Sequence, residues 1–240
     1  MRGSKEFFKT LHRPMPTHSA KPSAVMSLSG NLRILALRMK VSLKLSEGVY
    51  NSNGHGIPAM AVSARIIGFY RGSEPDHRGR YLHEIQKWPD SQLEAVHDYI
   101  QWLFPLPEPS GFNLAAPVLD RESIQEFRKR PDLQEKLRVS FLRMTNFYGL
   151  EARSGEQIRV THAPNFAAKR TVWLSPGNHN HLRITRILRC LTVLGLEAEA
   201  KAFFECLCEI YDHEQDKPMP AISDDAMLYW REAVGDVRNG

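Results

Sequence analysis

The sequence predicts an all-α protein, in which a single multi-helix globular domain follows a basic, largely disordered N-terminal extension. After residue 64 no segment shows sustained alternation of apolar and polar residues, whereas several segments show helical spacing with recognisable ends. The composition is ordinarily globular, with 42% hydrophobic and 25% charged residues, so 240 residues suffice to bury a core. We therefore assign residues 1–64 to the extension and residues 65–236 to the helical domain.

The extension carries all of the chain's excess positive charge. It holds nine Lys and Arg against two Glu, whereas the rest of the chain holds 23 Lys and Arg against 25 acidic residues. Residues 1–31 have a composition typical of disorder, and the alternation over 35–45 predicts one isolated strand. An organelle transit segment, a basic arm that touches membrane or nucleic acid, and a poorly ordered extension all fit this pattern. We favour the poorly ordered extension, and this interpretation includes a translation start at Met60, because Met60 immediately precedes the first well-patterned segment.

Two helices are predicted before the proline-rich segment that begins at residue 105. Apolar residues at helical spacing over 81–88 predict a short helix that ends before the following proline. Ser91 and Glu94 have the spacing of a capping box, in which each side chain bonds the other residue's backbone amide. This box predicts a helix over 91–104, which the prolines then end.

The helices of the second half are predicted from their end signals. Asp120 is suited to cap a helix over 124–130, and Pro131 is suited to begin the next helix, which runs to about residue 148. Gly195 and Ser223 have the residue types that end and cap helices. The remaining helices are predicted over 166–173, 179–194, 197–212 and 223–234.

The dipeptide His97-Asp98 resembles part of a catalytic pair, but its geometry argues against one. Adjacent residues on the predicted helix diverge by about 100°, so their side chains do not cooperate directly. His97 is expected at the edge of the helix's apolar face, one turn before Gln101, as a partly buried histidine with a structural hydrogen bond.

No metal site and no cofactor are expected. The string His179-Asn180-His181 matches a nuclease motif, but it begins a predicted helix instead of lying in a hairpin-plus-helix metal fold. Cys206 and Cys208 lie on nearly opposite faces of a predicted helix and are interpreted as small buried hydrophobic residues. The chain also lacks a phosphate-binding glycine loop and a nucleophile elbow.

The predicted helix over 179–194 places three arginines in one stripe, opposite its Ile and Leu face. One interpretation is a surface paired with acidic side chains of neighbouring helices. The other is an anion-docking surface, because free amides at the helix start add to the guanidinium charge. The candidate ligand-binding residues are Arg183, Arg186, Arg189, Asn178 and His179, with His97 and Gln101 from the earlier helix.

Several strings of the domain together resemble the N-terminal region of the opioid growth factor receptor family. They cover most of residues 66–235 and include strings too long to arise by chance. The strings are 69–72 (Phe-Tyr-Arg-Gly), 93–94 (Leu-Glu) leading to His97, 99–106 (Tyr-Ile-Gln-Trp-Leu-Phe-Pro-Leu), 108–109 (Glu-Pro), 147–149 (Phe-Tyr-Gly), 179–180 (His-Asn), 182–188 (Leu-Arg-Ile-Thr-Arg-Ile-Leu) and 194–197 (Leu-Gly-Leu-Glu). Because the chain ends soon after these strings, we expect a compact member like the family's microbial relatives.

The resemblance implies a receptor-type activity that binds a peptide or protein ligand, as the vertebrate namesake binds enkephalin. It supplies no catalytic set to transfer, so we expect a binding module and keep as the alternative an uncharacterised enzyme or an anion- or phosphate-binding helical protein of microbial metabolism. Nucleic acid is not an expected partner of the body, and no transmembrane segment is predicted. Three cysteines without disulfide spacing indicate a reducing compartment, hence the cytoplasm, and the resemblance allows peripheral membrane or nuclear association.

Overall fold

The computed structural model describes residues 59–111, 113, 115–155 and 157–235. Most of the predicted extension, with the strand predicted over 35–45, lies outside the described residues. The first helix begins at Ala59, inside the range that sequence analysis assigns to the extension. The domain boundary at residue 65 stays a prediction.

The described residues are mostly helical, which confirms the predicted fold class. The elements are α1 (Ala59–Arg71), α2 (Leu82–Ile85), α3 (Asp90–Ala95), α4 (Ile100–Leu103), α5 (Arg121–Lys129), α6 (Pro131–Phe147), β1 (Leu150–Arg153), β2 (Arg159–His162), α7 (Phe166–Lys169), a 3₁₀ turn (Arg170–Val172), α8 (Asn180–Val193), α9 (Glu197–Gln215) and α10 (Asp224–Gly235). Helix α8 packs against α9 and α10, which also pack on each other. No helix in the described part of the chain combines the length and apolarity that a membrane span needs.

Several predicted helix ends are confirmed because local side chains determine them. An oxygen of Asp120 accepts the amide N–H of Ser123 at 2.8 Å at the start of α5. Pro131 is the first residue of α6, where its missing N–H costs no hydrogen bond. The hydroxyl of Ser223 accepts the amide N–H of Ala226 at 3.2 Å at the start of α10.

Three fully buried tryptophans hold the core together through their ring N–H groups as well as their packing. Trp173 donates to the carbonyl of Tyr148, and Trp230 donates to the carbonyl of His181, both at 3.0 Å. Trp102, which is 1% exposed, donates to Nδ1 of His77 at 3.0 Å. Each indole therefore buries its large ring without leaving its polar atom unpaired.

A two-stranded antiparallel hairpin corrects the expectation that the domain contains no strands. Strands β1 and β2 pair in the register that sets Leu150 opposite His162 and Arg153 opposite Arg159. Each strand has four residues, which is too short for alternation to stand out in the sequence. Only Leu150 and Val160 are buried in this hairpin, and it is held in place by packing on α6 and α9.

The single helix predicted over 91–104 is also wrong. The chain instead forms α3 and α4, separated by a loop in which Val96 has an extended backbone (φ −95°, ψ 135°). Pro89, and not Ser91, occupies the cap position of α3, so Glu94 is not engaged in a capping box. The carbonyls of Leu93 and Val96, which would accept helical N–H groups in a continuous helix, instead accept hydrogen bonds from Arg183.

We expect Gly149→Ala to destabilise the fold more than Gly177→Ala. Both glycines have positive φ values, +78° and +70°, at which an alanine costs about 1–2 kcal/mol. A Cβ atom at Gly149 would also lie 3.0 Å from Cα of Phe166, whereas at Gly177 it would meet no atom within 4 Å. Crowding adds about 1–3 kcal/mol at Gly149 alone. Urea unfolding of both variants measures the difference, and equal losses would contradict the predicted close packing.

Candidate ligand-binding site

Arg183 of α8 points into the protein and fastens α8 to the loop between α3 and α4. Its side chain is 5% exposed. Its guanidinium group donates to the carbonyls of Leu93 (3.1 Å) and Val96 (2.9 Å) and to Oδ1 of Asn180 (3.1 Å). These acceptors explain why the helix predicted over 91–104 is interrupted, since the carbonyls of Leu93 and Val96 lie where α3 ends.

The other two arginines of the stripe are also engaged within the protein. Arg186 donates to the carbonyl of Phe104 at 3.0 Å, and Arg189 forms an ion pair with Glu108. The stripe therefore faces residues 93–108 instead of solvent. Of the two predicted partner types, acidic side chains and an external anion, the first holds for Arg189, while Arg183 and Arg186 bind mainly carbonyls. A role of these arginines in ligand binding stays a prediction.

Glu94 is the functional candidate that sequence analysis missed, because its spacing from Ser91 suggested a capping role. One carboxylate oxygen, Oε2, accepts from Nδ2 of Asn180 at 3.2 Å and lies 3.6 Å from Nη1 of Arg183. The other oxygen, Oε1, lies 3.4 Å from Nε2 of His179. The side chain is 35% exposed, so this carboxylate joins a buried arginine to the surface.

His97 and His179 lie together beside Glu94, which brings two of the predicted site residues into one place. Their ring centroids are 5.1 Å apart. His97 is exposed on the loop between α3 and α4, whereas His179 is half-buried at the start of α8. Burial, and next the charge of Arg183, lower the pKa of His179, so its imidazole is neutral at neutral pH. Its Nε2 atom is buried and has no hydrogen-bond partner in the described part of the chain.

Tyr148 has a buried hydroxyl without a hydrogen-bond partner among the described residues. Its side chain is fully buried, and burial raises the pKa of its hydroxyl well above the usual value. Its ring packs edge-on against Trp173, with 5.5 Å between the ring centroids, so it belongs to the core. We use the name Glu94 cluster for Glu94, His97, His179, Asn180 and Arg183.

Asn178 is held by hydrogen bonds within the protein, whereas Gln101 is buried. Asn178 donates through Nδ2 to the carbonyl of Val172 at 3.0 Å, and its Oδ1 accepts the amide N–H of Asn180 at 2.9 Å. Gln101 is 6% exposed, and its Oε1 atom has no hydrogen-bond partner among the described residues. Any contact of these two side chains with a ligand stays a prediction.

Asp98 faces away from His97, as sequence analysis expected, although the two residues lie in a loop and not on a helix. The carboxylate of Asp98 pairs with Nη1 of Arg80 at 2.9 Å and lies 3.3 Å from Nε2 of His77. Arg80 in turn binds the buried carboxylate of Asp76 at 2.6 Å. These contacts tie the loop that carries His97 to the segment between α1 and α2.

The two histidines of the string His179-Asn180-His181 have different surroundings in the fold. His181 is buried, its Nε2 lies 3.0 Å from the carbonyl of Trp173, and burial lowers its pKa to about 4. Within the described ranges, no group of three His, Cys, Asp or Glu side chains is arranged to hold a metal ion. All three cysteines are free.

The family model described as "Opioid growth factor receptor (OGFr) conserved region" matches residues 67–239. Opioid growth factor receptor of Mus musculus is 35% identical over 154 residues, which is 62% of this chain and 23% of that protein. The Homo sapiens receptor is 41% identical over 122 residues, 50% of this chain and 18% of that protein. Opioid growth factor receptor-like protein 1 of Mus musculus is 34% identical over 180 residues, 71% of this chain and 36% of that protein. The chain thus spans well under half the length of these relatives, and no solved structure matches it.

Proposed function

The chain belongs to the opioid growth factor receptor family, and from that premise we propose that its helical domain binds a peptide at the exposed edge of the Glu94 cluster. The relatives are named as receptors for an opioid growth factor, and a peptide ligand for this chain is part of the proposal. In this proposal His97, His179 and Glu94 contact the ligand. Arg183, Arg186 and Arg189 position those residues by holding the 93–108 segment against α8.

One observation carries the proposal: a buried polar atom without a partner among the described residues lies beside the ion pair of Glu94 and Arg183. This atom is Nε2 of His179, which lies 3.4 Å from Oε1 of Glu94. Buried polar groups in native proteins are nearly always hydrogen-bonded, so an exception next to a partly exposed carboxylate supports a functional site here. The segments 93–97 and 179–188, which carry strings of the family resemblance, meet at this place.

We expect His97→Ala and His179→Ala each to weaken binding of an enkephalin pentapeptide by at least about fivefold, since contact residues at the centre of an interface cost about 1 kcal/mol or more on truncation. Isothermal titration calorimetry of the full chain measures the affinity. Because neither imidazole holds the core together, the free energy of unfolding should change by less than about 0.5 kcal/mol.

His213→Ala is the matched control, because His213 is exposed on α9 and lies outside the Glu94 cluster. Its affinity for the pentapeptide should equal that of the unmodified chain. The proposal fails if the unmodified chain does not bind the pentapeptide, or if His213→Ala weakens binding as much as the two cluster variants.

An enzyme is the second candidate, favoured by the Glu94–His179 pair. A neutral imidazole next to a carboxylate is a suitable general base. Native mass spectrometry of the chain purified from its own host separates the two candidates. A retained molecule that stays unchanged on incubation supports the binding module, whereas its conversion into a second species supports the enzyme.

We propose that the protein works in a reducing compartment, the cytoplasm. The three free cysteines support this location, since Cys190 and Cys206 are buried without a disulfide partner. Burial raises the pKa of Cys190 above its usual value and that of Cys206 to about 12, so both thiols are unreactive. Peripheral membrane or nuclear association is compatible with the family membership.

A further inference from the structure

The outer oxygen of Glu94 and the inner nitrogen of His179 form a pair of adjacent polar atoms that do not bond each other. Oε1 of Glu94 lies 3.4 Å from Nε2 of His179, yet this buried nitrogen has no hydrogen-bond partner among the described residues. The second carboxylate oxygen is already held by Asn180. The first oxygen, on a side chain that is 35% exposed, is therefore the acceptor that the pair offers to a ligand, and the imidazole of His179 lies beside it.

The charge that a ligand meets beside Glu94 and His179 depends on which charged side chains face solvent there. His179 is neutral at neutral pH, because burial and Arg183 lower its pKa. Arg183 balances Glu94 from the interior, and its own N–H groups are taken up by three oxygens. The group left for a ligand is the partly exposed carboxylate of Glu94, which repels a ligand carboxylate or phosphate and attracts a cation.

We propose that the ligand group bound at Glu94 and His179 is a primary ammonium, and this inference rests on the proposed function. An ammonium carries three N–H donors and no acceptor, which suits a partly exposed carboxylate oxygen. His97 is exposed on the neighbouring loop, and its ring centroid lies 5.1 Å from that of His179, so it borders the same place. The ligand group proposed here is therefore a peptide amine, and not the anion that the arginine stripe suggested.

A peptide offers this ammonium at its N-terminus or on a lysine side chain, and three peptides distinguish these sources. The first is an enkephalin pentapeptide with a free amino group, which contains no lysine. The second is the same peptide with its amino group acetylated, and the third is the acetylated peptide extended by a C-terminal lysine amide. Calorimetric titration of the full chain with each peptide measures the contribution of each amine.

We expect acetylation to weaken binding by about tenfold or more, because hydrogen bonds to charged groups contribute about 1.5–3 kcal/mol. The added lysine restores affinity only if a side-chain ammonium reaches the same place. Glu94→Gln should bind the free and acetylated peptides equally, since the carboxylate that distinguishes them is gone. Thermal unfolding verifies that the Glu94→Gln variant is folded. If the variant does not fold, the comparison of free and acetylated peptides on the unmodified chain still tests whether the ammonium contributes to binding.

The outcomes separate this inference from the proposed function. Equal affinity of the unmodified chain for the free and acetylated peptides overturns the ammonium proposal and leaves peptide binding in place. Absence of binding to all three peptides overturns the proposed function and the ammonium proposal with it. A loss on acetylation that persists undiminished in a folded Glu94→Gln variant assigns the ammonium to another site, which also overturns the inference.

Discussion

Arg183→Gln is expected to lower the free energy of unfolding by about 3–5 kcal/mol, because its buried guanidinium group donates to three oxygens and each buried acceptor left unpaired costs about 1–3 kcal/mol. The glutamine cannot donate to all three oxygens that Arg183 binds, so the carbonyls of Leu93 and Val96 lose donors in the interior. Glu94 loses its counter-charge at the same time. Urea unfolding followed by circular dichroism measures the change.

Arg121→Gln serves as the control for removing a guanidinium group, because Arg121 is exposed at the start of α5. Its free energy of unfolding should change by less than about 0.5 kcal/mol. If the Arg183→Gln variant kept its stability but lost peptide binding, the result would contradict the anchoring role and support the ligand contact that sequence analysis considered for Arg183. A marked loss of stability instead identifies the arginine as the anchor of the loop that carries His97.

Trp102→Ala is expected to cost about 3–5 kcal/mol, as truncation of a fully buried aromatic residue typically does. The ring is 1% exposed and packs edge-on against Phe69, with 5.2 Å between the ring centroids. Its N–H group also holds His77, which lies 3.3 Å from Asp98. The substitution therefore leaves a cavity and frees one end of the contacts that secure the His97 loop.

Trp102→Phe separates these two contributions, since it keeps an aromatic ring and removes only the N–H donor. We expect a smaller loss of about 1–3 kcal/mol, from the hydrogen bond to Nδ1 of His77 and the reduced ring volume. Chemical unfolding of both variants provides the comparison. A cost below about 1 kcal/mol for Trp102→Ala would contradict its place in the core.

Helix ends and the family were predictable from sequence because their signals are local. Asp120 and Ser223 accept amides three positions away, and Pro131 acts through its own missing N–H, so their roles do not depend on the rest of the fold. The spacing of apolar residues on α8 likewise identifies its buried face. The family strings are runs of identical residue types, and their recognition requires no structure.

The Glu94 cluster could not be predicted in the same way, because its members come from distant parts of the chain. Arg183 bonds to a carbonyl 90 positions away, and Asn180 bonds to Glu94 across 86 positions. A helical projection shows correctly that the three arginines share a face, but not that residues 93–108 cover it. Residues 93–108 also supply the oxygens that accept hydrogen bonds from these arginines. The stripe that could be interpreted as a surface therefore lies between α8 and this segment.

The sequence by itself determined the all-helical class, the ends of most helices and the family, since short-range hydrogen bonding and residue spacing suffice for these. Only the tertiary structure decided that the chain breaks between α3 and α4, that a hairpin follows α6, and that Glu94 lies beside two histidines. The physical reason is that an interior guanidinium group needs acceptors. The carbonyls of Leu93 and Val96 provide them only where the helix is interrupted.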